Sequence, residues 1–199
     1  MGERVKKTRE ERQKEILDAA LKVFLEKGYR NTTMEDVINE TSLSKGGFYY
    51  HYGSTKDILI DIMKFGNYSF FEKNIKLEKD VSKEEICDAL TRSNLEKILT
   101  ETPERKLYLM FVYEMVYDPD FEKIYLKLEE ETFDLYDDIL QGSLPEYHPE
   151  RIKEKKLFLS RMVNALLFAQ NLFSDKDVFE NNKKILYKIF YELFSDLLK

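Results

Sequence analysis

Residues 32–52 read TTMEDVINETSLSKGGFYYHY, and their spacing decides how the rest of the chain folds. Thr32 and Thr33 precede Glu35 and Asp36 by three positions, a capping-box pattern in which a threonine hydroxyl accepts an orphaned backbone N–H at a helix start. The helix so opened, Met34 to about Glu40, is short and turns Met34, Val37 and Ile38 inward. Thr41-Ser42-Leu43-Ser44 forms a turn with Leu43 as its apolar plug, and Ser44 is placed to cap a further helix from Lys45 to about Tyr52. Two short helices joined by such a turn make a helix-turn-helix.

Upstream, Ile16, Leu17, Ala20, Val23 and Phe24 recur at helical spacing between Arg9 and Lys27, and Gly28 is expected to end that helix as a left-handed C-cap, a conformation glycine adopts without a Cβ clash. Downstream, Gly53-Ser54 breaks the pattern, and Ser54 or Thr55 caps a long fourth helix carrying Ile58, Leu59, Ile62, Met63 and Phe65 on to about Lys76. Five more helices are predicted, over about 82–100, 103–117, 119–141, 149–174 and 177–198, punctuated by Pro103, Asp118-Pro119 and a loop from Gly142 to Pro149. With nine helices and no sustained two-residue alternation, the expected fold is all-α. It comprises a three-helix head, residues 1–55, and a helical body, residues 56–199.

A chain of 199 residues buries a core without staples. The single cysteine, Cys87, forms no intramolecular disulfide and fits a reducing compartment, so a cytoplasmic location is expected. No stretch reaches the roughly 18 consecutive apolar residues of a membrane span, and Met1 to Glu11 lacks the apolar core of a signal peptide. Net charge is −6, yet residues 1–56 hold 11 bases against nine acids while residues 57–199 hold 21 against 29. A slightly basic head on an acidic body suits a nucleic-acid reader. No HExxH, GxSxG, phosphate-cradling glycine loop or paired metal-ligand cysteines occur, so no catalytic residue, metal or cofactor is expected.

On a helix from Lys45, Phe48 and Tyr52 lie four apart and pack inward, while Lys45 and Tyr49 share another face. That face suits a major groove, where lysine donates to guanine O6 and N7 and tyrosine meets a thymine methyl or a phosphate. Gly46 and Gly47 are poor helix formers, at about 1 kcal/mol each relative to alanine, and a surface that approaches bases closely explains both. Thr32-Thr33-Met34, Ser44-Lys45-Gly46, Phe48-Tyr49-Tyr50-His51-Tyr52 and Lys56 together resemble the DNA-binding signature of the TetR family, over about residues 9–60. The resemblance implies base contacts from Lys45, Gly46 and Tyr49 and phosphate contacts from Thr33, Ser44, Tyr50, His51 and Lys56. It departs at Thr41-Ser42, where the family has alanine and glycine, and at Tyr52, where it has phenylalanine.

Several residues admit a second reading. Lys45 and Lys56 read either as DNA contacts or as solvated charges, and His51 reads as a phosphate hydrogen-bond donor or as a metal ligand or base, with His148 the only other histidine. Arg4, Lys6, Lys7 and Arg9 form either a tail that touches DNA or a disordered end.

In the body, Glu114 shares a helix face with Leu107, Met110 and Phe111, so it must be paired with a base, raised in pKa or set on a polar-tipped cavity. Arg161, Asn164 and Asn171 share a face with Phe168. Tyr113, Glu114, Arg161, Asn164 and Phe168 are therefore the candidate lining of a small-molecule pocket, with an internal salt bridge as the alternative. Leu166, Leu167, Phe173, Ile185, Leu186, Ile189, Phe190, Leu193, Phe194 and Leu197 carry more apolar surface than one neighbour covers, which points to a homodimer through the last two helices or to a thicker monomer core. The expected function is a ligand-responsive repressor that leaves a palindromic duplex operator when a small molecule binds. A helical carrier or enzyme without DNA binding is the alternative.

Overall fold

The computed structural model describes residues 7–74, 81–144, 146–173, 175 and 177–199, and every regular element among them is helical. In chain order these are α1 (Arg9–Lys27), a 3-10 turn (Tyr29–Asn31), α2 (Met34–Asn39), α3 (Lys45–Tyr49), α4 (Thr55–Asn74), α5 (Lys83–Leu99), α6 (Pro103–Glu114) and α7 (Pro119–Ser143). A second 3-10 turn (Pro149–Arg151), α8 (Lys153–Leu172), α9 (Asp177–Asn181) and α10 (Lys183–Leu197) complete the described chain. The chain divides into two compact units, Met1–Tyr68 with Thr102–Tyr125, and Ser69–Glu101 with Leu126–Lys199.

The first unit is built on local signals. Thr8 caps α1 through a reciprocal box with Glu11, and Thr33 caps α2 through one with Asp36. Gly28 ends α1 at φ 78°, ψ 151°, with its N–H bonded to the Phe24 carbonyl at 2.9 Å. This is an extended mirror-image conformation open only to glycine, not the left-handed helical cap expected. The turn throws Tyr29 back onto the core, where Phe24, Tyr29, Phe121 and Phe111 stack edge to face at centroid separations of 5.6, 5.7 and 5.4 Å. Ile16, Ala20, Val23, Val37, Phe48, Ile58, Leu59 and Leu107 fill the remaining interior. Of the three residues expected inward on α2, Val37 is fully buried and Met34 and Ile38 are half-buried, because the helix has under two turns to hide them.

In the second unit α5 packs along α8 and α10, burying Ile86, Leu90 and Ile98 with Val163, Leu167, Leu186, Phe190 and Phe194. The part of α7 after Tyr125 is tied to α8 by carboxylates. Asp137 accepts from Lys156 at 2.6 Å and from the Tyr147 hydroxyl at 2.6 Å, and Glu129 accepts from Ser160 and Arg161. The last expected helix is broken at Asn182, whose backbone leaves the helical region at φ −107°, ψ 17° while its side chain bonds the Val178 carbonyl, so that α9 ends before α10 begins. α7 runs through Gly142 to Ser143, so the expected loop starts later. No helix among the described residues is long and apolar enough to cross a membrane.

Candidate nucleic-acid interface

The helix-turn-helix of the first unit presents one polar face. Thr33 caps α2, its Oγ1 accepting from the Asp36 N–H at 3.2 Å, while Thr32 is buried and donates to the Gly28 carbonyl at 2.9 Å. Ser44 caps α3 by accepting from the Gly47 N–H at 3.3 Å. The two glycines divide their work. A Cβ at Gly47 would stand 3.3 Å from Ser44 Oγ, so Gly47 serves the cap, whereas Gly46 faces open space and bares its backbone.

Beyond them the side chains sort by face. Phe48 and Tyr52 are 0% and 5% exposed, whereas Tyr49 and Tyr50 are 44% and 75% exposed. Thr33, Ser44 and Lys45 are exposed as well, and His51 and Lys56 are half-buried. Lys45 Nζ stands 2.7 Å from Glu35 Oε1, and the ammonium holds that carboxyl below the usual carboxylate range. Lys56 donates to Asp118 Oδ2 at 2.9 Å, lies 3.6 Å from Asp120 Oδ2 and sits over the Phe121 ring.

Two polar networks in this unit, one near the surface and one part-buried, join residues too far apart in sequence for local spacing to reveal. Glu15, on α1, accepts from the Ser42 backbone N–H at 2.6 Å and from Lys7 at 2.9 Å, which pulls its carboxyl down to about 2. That contact satisfies the polar Thr41-Ser42 turn from outside the turn. Tyr52 donates to Asp61 Oδ2 at 3.0 Å and accepts from Gln13 at 3.0 Å, joining α1 to α4 through a hydroxyl, and burial pushes the phenol up. Lys7 is thus engaged and Arg9 is exposed in the first turn of α1, while Arg4 and Lys6 lie outside the described residues.

The candidate pocket residues belong to different units. Glu114, 7% exposed, accepts from Arg30 Nε at 2.8 and 3.1 Å, and the Arg30 guanidinium lies 4.0 Å from the Tyr117 ring centroid. Tyr113 is exposed, its hydroxyl sharing a 2.8 Å hydrogen bond with that of Tyr117. All of these lie in the first unit. Arg161, Asn164 and Phe168 follow one another along α8 in the second, where Arg161 forks onto Glu129 at 2.5 and 3.1 Å and Phe168 is half-buried. An open groove of about 480 Å³ in the second unit is bordered by Lys155, Phe158, Leu193, Asp196 and Leu197 and contains none of the five. Among the described residues no group of three or more His, Cys, Asp or Glu is arranged to hold a metal ion.

Comparison with known proteins bears on this geometry. The family described as bacterial regulatory proteins, tetR family, matches residues 16–62. The chain is 43% identical over 61 residues to the HTH-type transcriptional regulator YfiR of Bacillus subtilis, covering 31% of this chain and 30% of that one. It is 42% identical over 43 residues, 22% of this chain and 23% of the other, to IcaR of Staphylococcus aureus, a negative transcriptional regulator of the biofilm operon icaADBC. The matches thus span between about a quarter and a third of these relatives' length. In fold, the crystal structure of the multidrug binding protein EbrR complexed with imidazole aligns with a TM-score of 0.66 at 17% identity, covering 95% of this chain and 96% of that one.

Proposed function

Because this chain belongs to the tetR family of bacterial regulatory proteins, we propose that it is a homodimeric transcriptional repressor that leaves its operator when a small molecule binds. In this reading residues 1–55 read DNA and residues 56–199 take up the effector and dimerise. Lys45, Gly46 and Tyr49 meet base edges, and Thr33, Ser44, Tyr50, His51 and Lys56 meet phosphates. The observation that carries it is the sorting of one aromatic run. Phe48 and Tyr52 are consumed by the core, while Tyr49 and Tyr50 stay exposed beside a bare Gly46 backbone. A globular head has no structural use for that second face.

Dimerisation is supported by apolar surface left over on α8 and α10, where Phe158, Ile185 and Ile189 are 61%, 57% and 44% exposed. Two copies related by a twofold axis place two recognition helices on half-sites about 34–36 Å apart or at multiples of that spacing. The effector then acts by favouring a head separation that the operator does not match. The negative regulation attributed to IcaR supports the sign, and the multidrug binding attributed to EbrR supports a small-molecule effector.

The test is a gel shift of the full chain on the duplex upstream of its own gene, with and without a small-molecule panel. Sequence-specific retardation relieved by a compound is expected. Failure to retard any duplex would leave a helical carrier or enzyme in its place.

A further inference from the structure

Glu35 is the second residue of α2 and Lys45 the first of α3, so their 2.7 Å ion pair joins the two helix starts on the exposed face of the helix-turn-helix. Both side chains remain more than 60% exposed, at 70% and 63%, so the pair contributes little to stability. A carboxylate in that position is a liability for a DNA reader, since it faces phosphates and the acceptor edges of guanine and thymine. It is satisfied only by an exocyclic amino group. We propose that Glu35 and Lys45 act together, as an intact ion pair, to read a single G·C base pair in the major groove. The inference rests on the DNA-binding reading above.

The geometry of the pair matches the edge it would read. Guanine O6 and cytosine N4 are themselves hydrogen-bonded across the base pair, at about 2.9 Å as in any N–H···O bond. A donor and an acceptor held 2.7 Å apart therefore overlay an acceptor and a donor of nearly the same spacing, Nζ on O6 and Oε on N4. Thymine O4 beside adenine N6 offers the same order of groups, but there adenine N7 sits next to the carboxylate and repels it, and the thymine methyl crowds the ammonium. Beside G·C the lysine gains guanine N7 as a second acceptor and the carboxylate meets no acceptor. Glu35 thus acts by excluding the other pairs as much as by binding this one.

The test is selection of bound sites from a randomised duplex pool by the full wild-type chain, E35A and E35Q, followed by titration on the enriched duplex and on random duplex. The wild type is expected to enrich a fixed G·C position in each half-site. E35A is expected to admit T·A there, with discrimination falling about five- to tenfold, the lower range for one mismatched pair, and to bind random duplex more tightly. E35Q keeps an acceptor oxygen and should retain part of the preference, which a purely electrostatic role would not. If E35A enriches the same half-site with the same discrimination, the pair does not read DNA and the inference falls alone. If the wild type enriches nothing, the DNA-binding reading falls with it.

Discussion

Lys56, in the first turn of α4, donates to Asp118 at 2.9 Å, so the lysine assigned to a phosphate is held by the turn between α6 and α7. Asp120 stands on the same ammonium at 3.6 Å, and Lys56 is only 28% exposed. A phosphate must take this cation from two carboxylates, and the segment that bears them therefore sets how available it is.

Asp118→Asn is accordingly expected to tighten binding to any duplex by about two- to fivefold, without changing sequence preference, because it releases a non-specific contact. Lys56→Ala should weaken all sequences alike and reduce the slope of log K against log salt by about one. Anisotropy titrations across a salt series check both. An unchanged slope in the lysine variant would show that Lys56 stays on Asp118 in the complex.

Tyr52→Phe restores the residue common in the resembled family and removes the hydroxyl that bridges Asp61 and Gln13. It should cost about 1 kcal/mol, the ordinary net value of a buried hydrogen bond, with the ring packing intact. Urea unfolding of the two proteins side by side measures this. Equal midpoints would mean that Asp61 and Gln13 satisfy each other without the phenol.

These contacts show where sequence reading stopped. Thr33, Ser44 and Gly28 announce helix ends through partners one to four residues away, so the head's outline was legible. Glu15 with Ser42, Lys45 with Glu35 and Arg30 with Glu114 are paired across 27, 10 and 84 residues, and no periodicity encodes which carboxylate meets which donor. The apolar face around Glu114 predicts burial but leaves open a base, a raised pKa or a cavity; its partner is Arg30, in the 3-10 turn after α1, far from any helix pattern. The break at Asn182 is set by that one residue's backbone, φ −107° and ψ 17°, which no apolar spacing along 177–198 encodes.

Glu15 gives the head a pH dependence of defined sign. Its carboxyl is held at about 2, chiefly by Lys7 and Ser42, against about 4.3 in an unfolded chain. A depressed folded pKa contributes stability that is full above the unfolded value and is lost as pH falls through the folded one. The head should therefore lose stability between about pH 4.3 and 2, and Glu15→Gln should flatten that part of the profile. Thermal melts across the acid range, read by circular dichroism, decide it.

Ile189→Asp probes the proposed dimer without touching the core, because Ile189 is 44% exposed while its neighbour Phe190 is fully buried. A carboxylate facing its own copy across a twofold axis should weaken association by about 2 kcal/mol or more, as for a central interface residue. Sedimentation equilibrium is expected to show monomer appearing at concentrations where the wild type is dimeric. A wild type that is already monomeric would assign that apolar face to something other than a second copy.

Arg30 and Glu114 are unequal partners, and that asymmetry is measurable. The carboxylate is 7% exposed as a residue, whereas half of the Arg30 side chain remains in solvent. Removing the arginine leaves a buried charge without its donor, while removing the charge leaves a solvated guanidinium still stacked on Tyr117. Arg30→Ala is therefore expected to lower Tm clearly more than Glu114→Gln, and the double variant should recover part of the arginine loss. If Glu114 instead served mainly to attract a cationic effector, Glu114→Gln would leave Tm unchanged and abolish release of DNA by cationic compounds. Melting the three variants and repeating the compound panel on Glu114→Gln separates a structural carboxylate from a ligand-binding one.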